Sequence, residues 1–225
     1  MTIGKDFENY YVKHLGKQSL DLHYFGNHVE SSMTPYILEE REMRATQIDI
    51  FSRLMRDRLL WVAGVVDDRM STVVQAQLMF LDNSDKSDIT IHIDSPGGSV
   101  KSGLSMVDVM QYISCDIRTV NTGMAASMGS VLLGAGTKGK RSSLRFSKTM
   151  LHQTSGGAGG NIQDARINFL EWEKTNKILF ELLGEFCGKT PEQVMEDSSR
   201  DFWLTADEAV QYGIIDEVVK QKKKG

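Results

Sequence analysis

From about residue 45 the hydrophobic pattern of the chain becomes regular and switches repeatedly between two periods. Residues 48–57 read as a short helix, followed by the unbroken apolar run Leu59-Leu60-Trp61-Val62-Ala63-Gly64-Val65, which predicts a buried strand. Val74, Leu78 and Leu81 fall at i, i+4 and i+7 and predict an amphipathic helix, with Val73 and Met79 widening its apolar stripe. Ile89, Ile91 and Ile93 alternate with Thr90 and His92, the period of a strand. A turn at Asp94-Ser95-Pro96-Gly97-Gly98 then leads to a helix over 103–112, a strand over 117–120, a helix over 126–133 and a strand over 144–150. Strands that alternate with helices in this way predict α/β units on a mostly parallel sheet.

Downstream, the glycine-rich segment Ser155-Gly156-Gly157-Ala158-Gly159-Gly160 precedes a long helical stretch over 163–186. At 1.5 Å per residue this helix spans roughly 35 Å. Ile167, Leu170, Ile178 and Leu182 occupy one side and Phe169, Trp172 and Phe180 another. A helix apolar on more than one side predicts burial against something beyond its own domain, a partner subunit being the simplest. Thr190-Pro191-Glu192-Gln193 and Thr205-Ala206-Asp207-Glu208 both fit a capping box, and Gly213 can end the second helix before a strand over 214–219.

Composition narrows the class without naming it. The chain has 225 residues, 40% hydrophobic and 25% charged, which fits an ordinary globular protein and excludes collagen-like, coiled-coil and disordered classes. A net charge of -4 does not call for nucleic acid or an anionic membrane surface. Cys115 and Cys187 are too few for a disulfide scaffold, which points to a reducing compartment and a cytoplasmic location. The polar segment 1–33 lacks the basic start and apolar middle of a secretory signal and reads as an extension. Residues 34–219 form a single predicted domain and residues 220–225 a basic tail. Glycine, at 20 residues against three prolines, suggests loops that bring backbone close to something.

The candidate chemistry sits at strand ends. No metal site is expected, because the cysteines are far apart and neither His92 nor His152 has an HxxxH partner. The Asp94–Ser99 segment lacks the lysine of a Walker loop and the spacing of G-x-G-x-x-G, yet such a turn can present N–H groups to an anion or oxyanion. In Gly123-Met124-Ala125-Ala126-Ser127-Met128-Gly129 a lone serine stands where strand gives way to helix, the place of an N-cap or of a nucleophile. Ala125 departs from G-x-S-x-G, while the Met128 N–H lies where an oxyanion donor is wanted. His152, at the end of a strand, is a candidate base. The carboxylate that would orient it remains open among Asp164, Asp197, Asp201, Asp207 and Asp216.

These residues, together with Ile93–Val100, Gly139-Lys140-Arg141, Met150–Gln153 and Arg200–Ala209, resemble the ClpP family of Clp protease proteolytic subunits from about Thr34 to Val219. The resemblance implies the ClpP/crotonase-like α/β fold of repeated ββα-type units with a protruding handle helix. It implies a serine endopeptidase in which Ser127 is the nucleophile, His152 the base and Asp201 the orienting carboxylate, with the Gly98 and Met128 N–H groups as oxyanion hole. It further implies a homo-oligomer of two stacked heptameric rings, with Arg200 at the ring–ring contact. An AAA+ unfoldase such as ClpX or ClpA/ClpC would feed in unfolded polypeptides and spend the ATP, this chain holding no cofactor. The extension would be a propeptide cut near residues 31–34, and the glycine-rich segment would pair with the substrate as an added strand.

Four departures from the family pattern stand out. Thr154 occupies a position usually proline, in the substrate side-chain pocket, and Asp94 one usually asparagine. Ser199 stands where an acidic residue helps to lock ring to ring. Thr90, His92 and Ser142 replace aromatics of the unfoldase docking pocket, whereas Tyr112 fits it. Two other classes are compatible with such a fold: a non-catalytic ring subunit, which would usually lack one of Ser127, His152 and Asp201, and an acyl-CoA enzyme of the crotonase type, which would not need the serine.

Overall fold

The computed structural model describes residues 36–41, 44–154 and 161–220. The propeptide cut, the substrate-pairing role of the glycine-rich segment and most of the basic tail concern residues outside this set. The chain divides into two compact units, residues 1–57 and 58–225, so the predicted domain spans the second unit and the end of the first.

In the first unit, strands β1 (Tyr36–Arg41) and β2 (Arg44–Asp49) form an antiparallel ladder running from Tyr36 opposite Asp49 to Arg41 opposite Arg44. The periodicity argument misses this hairpin, because Glu39, Glu40 and Arg41 break any apolar alternation. Helix α1 (Ile50–Arg56) follows, its first turn capped by the Asp49 carboxylate accepting from the Ser52 N–H at 3.0 Å.

The second unit is an α/β layer. Its elements are β3 (Leu59–Val66), α2 (Asp68–Ser84), β4 (Ile89–Gly98), α3 (Val100–Tyr112), β5 (Ile117–Ala126), α4 (Met128–Gly134), β6 (Arg141–Ser143), β7 (Lys148–Leu151), α5 (Ile162–Cys187), α6 (Pro191–Asp197), β8 (Phe202–Thr205), α7 (Ala206–Tyr212) and β9 (Glu217–Val218). Strands run in the order β3-β4-β5-β6-β9, all parallel, while β7 pairs in parallel with the far end of β5 and antiparallel with β8.

The isoleucines of β4 and the Val74, Leu78 and Leu81 stripe of α2 are all buried, as their spacing predicts. Val73 and Met79 are exposed and do not widen that stripe. They lie on the outer side of the cylinder once Val74 and Leu78 define the inner one. The predicted turn at Asp94–Gly98 is instead a continuation of β4, with a register shift between Ile93 and Ser95 that keeps it paired to β5 and, through Gly97 and Gly98, to β3. Only the second half of the predicted strand over 144–150 is strand: residues 144–147 form the turn between β6, which pairs with the middle of β5, and β7, which pairs with its end. The capping box at Thr205 and Glu208 is complete. At Thr190 only half of one forms, because the Gln193 side chain turns to Asp197.

The Gly139-Lys140-Arg141 segment is structural. Arg141 is 3% exposed and its guanidinium grips the Asp216 carboxylate at 2.7 and 3.0 Å while donating to the Phe186 and Gly213 carbonyls. Burial alone would raise the Asp216 pKa, but the hydrogen bonds and charge of Arg141 outweigh it and hold the carboxyl below its ordinary range. Asp216→Ala should therefore leave a buried guanidinium unpaired and cost about 3 kcal/mol, read as a lower urea midpoint. Because the folded pKa is depressed, this stabilisation is present above the unfolded carboxylate value of about 4 and is lost as pH falls below it. The stability difference between wild type and Asp216→Asn should shrink over that same acid range.

Candidate active site

Sheet register brings the candidate residues together. Ala126, the last residue of β5, pairs with Met150 of β7, and the next N–H, that of Ser127, donates to the Met150 carbonyl at 2.9 Å. Leu151 of β7 pairs with Phe202 of β8, so His152 and Asp201 stand one step further along that antiparallel ladder, opposite each other. The result is a chain of contacts in which Ser127 Oγ lies 2.8 Å from His152 Nε2, and His152 Nδ1 lies 3.4 Å from Asp201 Oδ1.

Each of the other open carboxylates has a place elsewhere. Asp216 is held by Arg141, Asp197 accepts from the Tyr212 hydroxyl, Asp164 belongs to the Asn161 cap of α5, and Asp207 lies in the first turn of α7. Asp201 is exposed, and its contact with the imidazole is longer than that of the serine.

Ser127 occupies the N-cap position of α4 but does not cap it. Its side chain makes no bond to the helix and reaches His152 instead. Its backbone sits at φ 54°, ψ -123°, a conformation a residue with a Cβ adopts at a cost of about 1–3 kcal/mol. That turn tips Oγ out of the strand–helix junction toward the imidazole. A hydroxyl hydrogen-bonded to a neutral imidazole nitrogen is the arrangement that lets the ring take the proton as the oxygen attacks.

The elbow is backed by bare backbone. Gly97 has φ +91°, and a Cβ there would lie 2.7 Å from Ser127 Cβ and 2.8 Å from Met128 N. Ser95, fully buried, secures this approach, with Oγ donating to the Gly64 carbonyl and accepting from the Gly97 N–H. Met128 opens α4, so its N–H has no acceptor within the helix. Gly98, Met128, Ser127 and His152 all line one pocket of about 70 Å³, whose lining mixes polar groups with apolar side chains.

Periodicity on α5 misassigns part of that wall. The apolar pattern does not single out Leu179 and Leu183 and points Phe180 toward a partner; all three are buried, and all three line the pocket. Together with Asn176 they fall at i, i+3, i+4 and i+7, a spacing that was available in the sequence. Ile167, Phe169, Leu170 and Ile178 remain exposed on the other sides of the helix.

Arg200 is exposed beside His152 and Asp201 at the rim of a neighbouring cleft. Among the described residues, no group of three or more His, Cys, Asp or Glu side chains is placed to hold a metal ion. Burial pushes the Cys187 thiol up to about 12, so it is not a competing nucleophile.

Comparison with known proteins decides the family. The family model for Clp protease matches residues 40–222. The chain belongs to this family. Its curated relatives include proteins named ATP-dependent Clp protease proteolytic subunit from Bacteroides fragilis, 48% identical over 96% of this chain and 99% of that protein, and from Porphyromonas gingivalis, 44% identical over 97% and 99%. A third, from Bacteroides thetaiotaomicron, carries the same name and is 47% identical over 96% of this chain. The chain is accordingly a peptidase, and its α/β architecture is the one expected of the family. Within that family the backing of the elbow is open to direct test. Gly97→Ala should force Ser127 and Met128 apart from the glycine turn and lower peptide hydrolysis about a hundredfold, while the thermal melt remains cooperative.

Proposed function

We propose that the chain is a serine endopeptidase that cleaves unfolded polypeptides through an acyl-enzyme on Ser127, within a chamber of identical subunits. The observation that carries this reading is the 2.8 Å contact between His152 Nε2 and a Ser127 that is turned out of its helix by a positive φ. Ser127 Oγ attacks the scissile carbonyl as His152 accepts its proton, and the imidazolium then returns that proton to the leaving amine. Asp201 at Nδ1 keeps the tautomer that leaves Nε2 free to accept, and it stabilises the imidazolium once formed. The Gly98 and Met128 N–H groups receive the oxyanion. Water then repeats the sequence on the ester.

Partners follow from the surfaces. Ile167, Phe169, Leu170 and Ile178, exposed along a 26-residue helix, support a face-to-face contact between two heptameric rings, with Arg200 beside it. An AAA+ unfoldase supplies the ATP-driven step and the chain itself holds no cofactor. Docking falls on a surface where Trp61 stacks on His92 with ring centroids 4.8 Å apart and where Tyr112 is exposed. Burial holds the His92 pKa below the ordinary histidine value, so the ring meets that partner neutral. Ser142 is buried and donates to the Thr119 carbonyl, and so offers the partner little. No helix among the described residues is long and apolar enough to cross a membrane, in keeping with work in the cytoplasm.

Ser127→Ala and His152→Ala should each lower peptide hydrolysis by at least about ten-thousandfold and abolish fluorophosphonate labelling at Ser127. Hydrolysis that persists in Ser127→Ala would overturn the reading. Intact mass of wild type beside Ser127→Ala reads self-processing, with wild type expected shorter by about 30 residues and the variant full length. Replacing Phe169 and Leu170 together by glutamate should halve the mass of the assembled particle in sedimentation, because charge placed in an apolar contact disfavours it.

A further inference from the structure

The pocket beside Ser127 carries a polar pair that the peptidase chemistry does not use. Val100, Val131, Leu179 and Leu183 supply apolar side chains to its lining, and beside them stand Thr154 and Asn176. The Thr154 backbone N–H and its hydroxyl both donate to Asn176 Oδ1, at 3.3 and 3.1 Å. A backbone N–H only donates, so it is the carboxamide oxygen that faces Thr154 and the amide orientation is settled by the chain itself. The oxygen carries no proton, so the Thr154 hydroxyl gives up its own and keeps its lone pairs.

Two groups are left over. Asn176 Nδ2 has two N–H donors, and among the described residues none of them meets an acceptor. Thr154 Oγ1 has acceptor capacity that no described donor fills. The nearby Ser130 hydroxyl is committed to the Ser127 carbonyl and does not fill either need. Apart from His152, no ionisable side chain lines the pocket, so a charged guest would be desolvated without a counter-ion. A donor and an acceptor side by side, next to the apolar side chains of the same pocket, complement a neutral carboxamide.

The pocket adjoins the attacking oxygen, so it receives the side chain of the residue whose carbonyl Ser127 attacks. We infer that Asn176, oriented by Thr154, is a specificity-determining residue that lets this pocket accept glutamine or asparagine at that position beside apolar residues of similar length. The inference rests on the peptidase reading of Ser127.

The test compares fluorogenic peptides that differ only at this residue, carrying Gln or Met, on the assembled enzyme. Asn176→Asp keeps an acceptor for Thr154 but loses the N–H donors, and Thr154→Val keeps the backbone donor but loses the hydroxyl. Each should lower the ratio of kcat/KM for the Gln peptide to that for the Met peptide by at least about fivefold. A smaller change in either variant overturns the inference. In particular, an Asn176→Asp enzyme with the wild-type ratio would mean that Asn176 only anchors Thr154. Fluorophosphonate labelling of Ser127 separates the two failures. Wild type that cleaves neither peptide and is not labelled overturns the peptidase reading and this inference with it. Cleavage with labelling and an unaltered ratio overturns the inference alone.

Discussion

The strained backbone of Ser127 is the constraint around which the active end of this molecule is arranged. A residue with a Cβ holds φ 54°, ψ -123° only if its neighbours over-determine it. Here its N–H is tied to the Met150 carbonyl, its carbonyl accepts from the Ser130 hydroxyl and from the N–H groups of the first helical turn, and Gly97 packs bare backbone behind it. Release of any one of these would let the serine relax into an ordinary N-cap, with its hydroxyl spent on the helix and unavailable to His152.

The over-determination comes from the sheet. Parallel pairing of β7 with β5 and antiparallel pairing with β8 align three strand ends, so the serine, the imidazole and the carboxylate need no loop of their own to meet. A site mounted on paired strands is held far more tightly than one mounted on loops. The same sheet is anchored at its other edge by Arg141 and Asp216, which join β6 to the turn before β9 and tie both to the C-terminal end of α5. The strain at one end is thus carried by a framework whose far edge is held by a paired, hydrogen-bonded guanidinium and carboxylate.

Helix α5 works on two sides at once. Asn176, Leu179, Phe180 and Leu183 close the pocket at Ser127, while Phe169, Leu170 and Ile178 remain uncovered. A helix that both walls a substrate pocket and presents an apolar face can pass the position of one to the other, because a packed helix moves as a rigid element. Thr154 binds the segment that carries His152 to this helix through Asn176, so the imidazole is positioned from α5 as well as from β7.

Much of this was legible in the residue order. Alternation in β4 and the stripe of α2 identified buried positions correctly, and Ser127 and His152 stand at strand ends as expected, because both are local properties of period and residue size. The β1–β2 hairpin was not legible, since its charged residues carry no apolar period. Nor was the continuation of β4 through Pro96, where proline and glycine read as a turn and only pairing with β3 and β5 keeps the chain extended. By itself the sequence determined an α/β chain with a serine and a histidine at strand ends and five carboxylates to choose from. Family resemblance pointed to Asp201 among the five, and the tertiary structure has that carboxylate 3.4 Å from His152 Nδ1. The register of β8 on β7 and the direction of the Thr154–Asn176 bond are non-local quantities, set by which strands and helices pack together and invisible to any spacing along the chain.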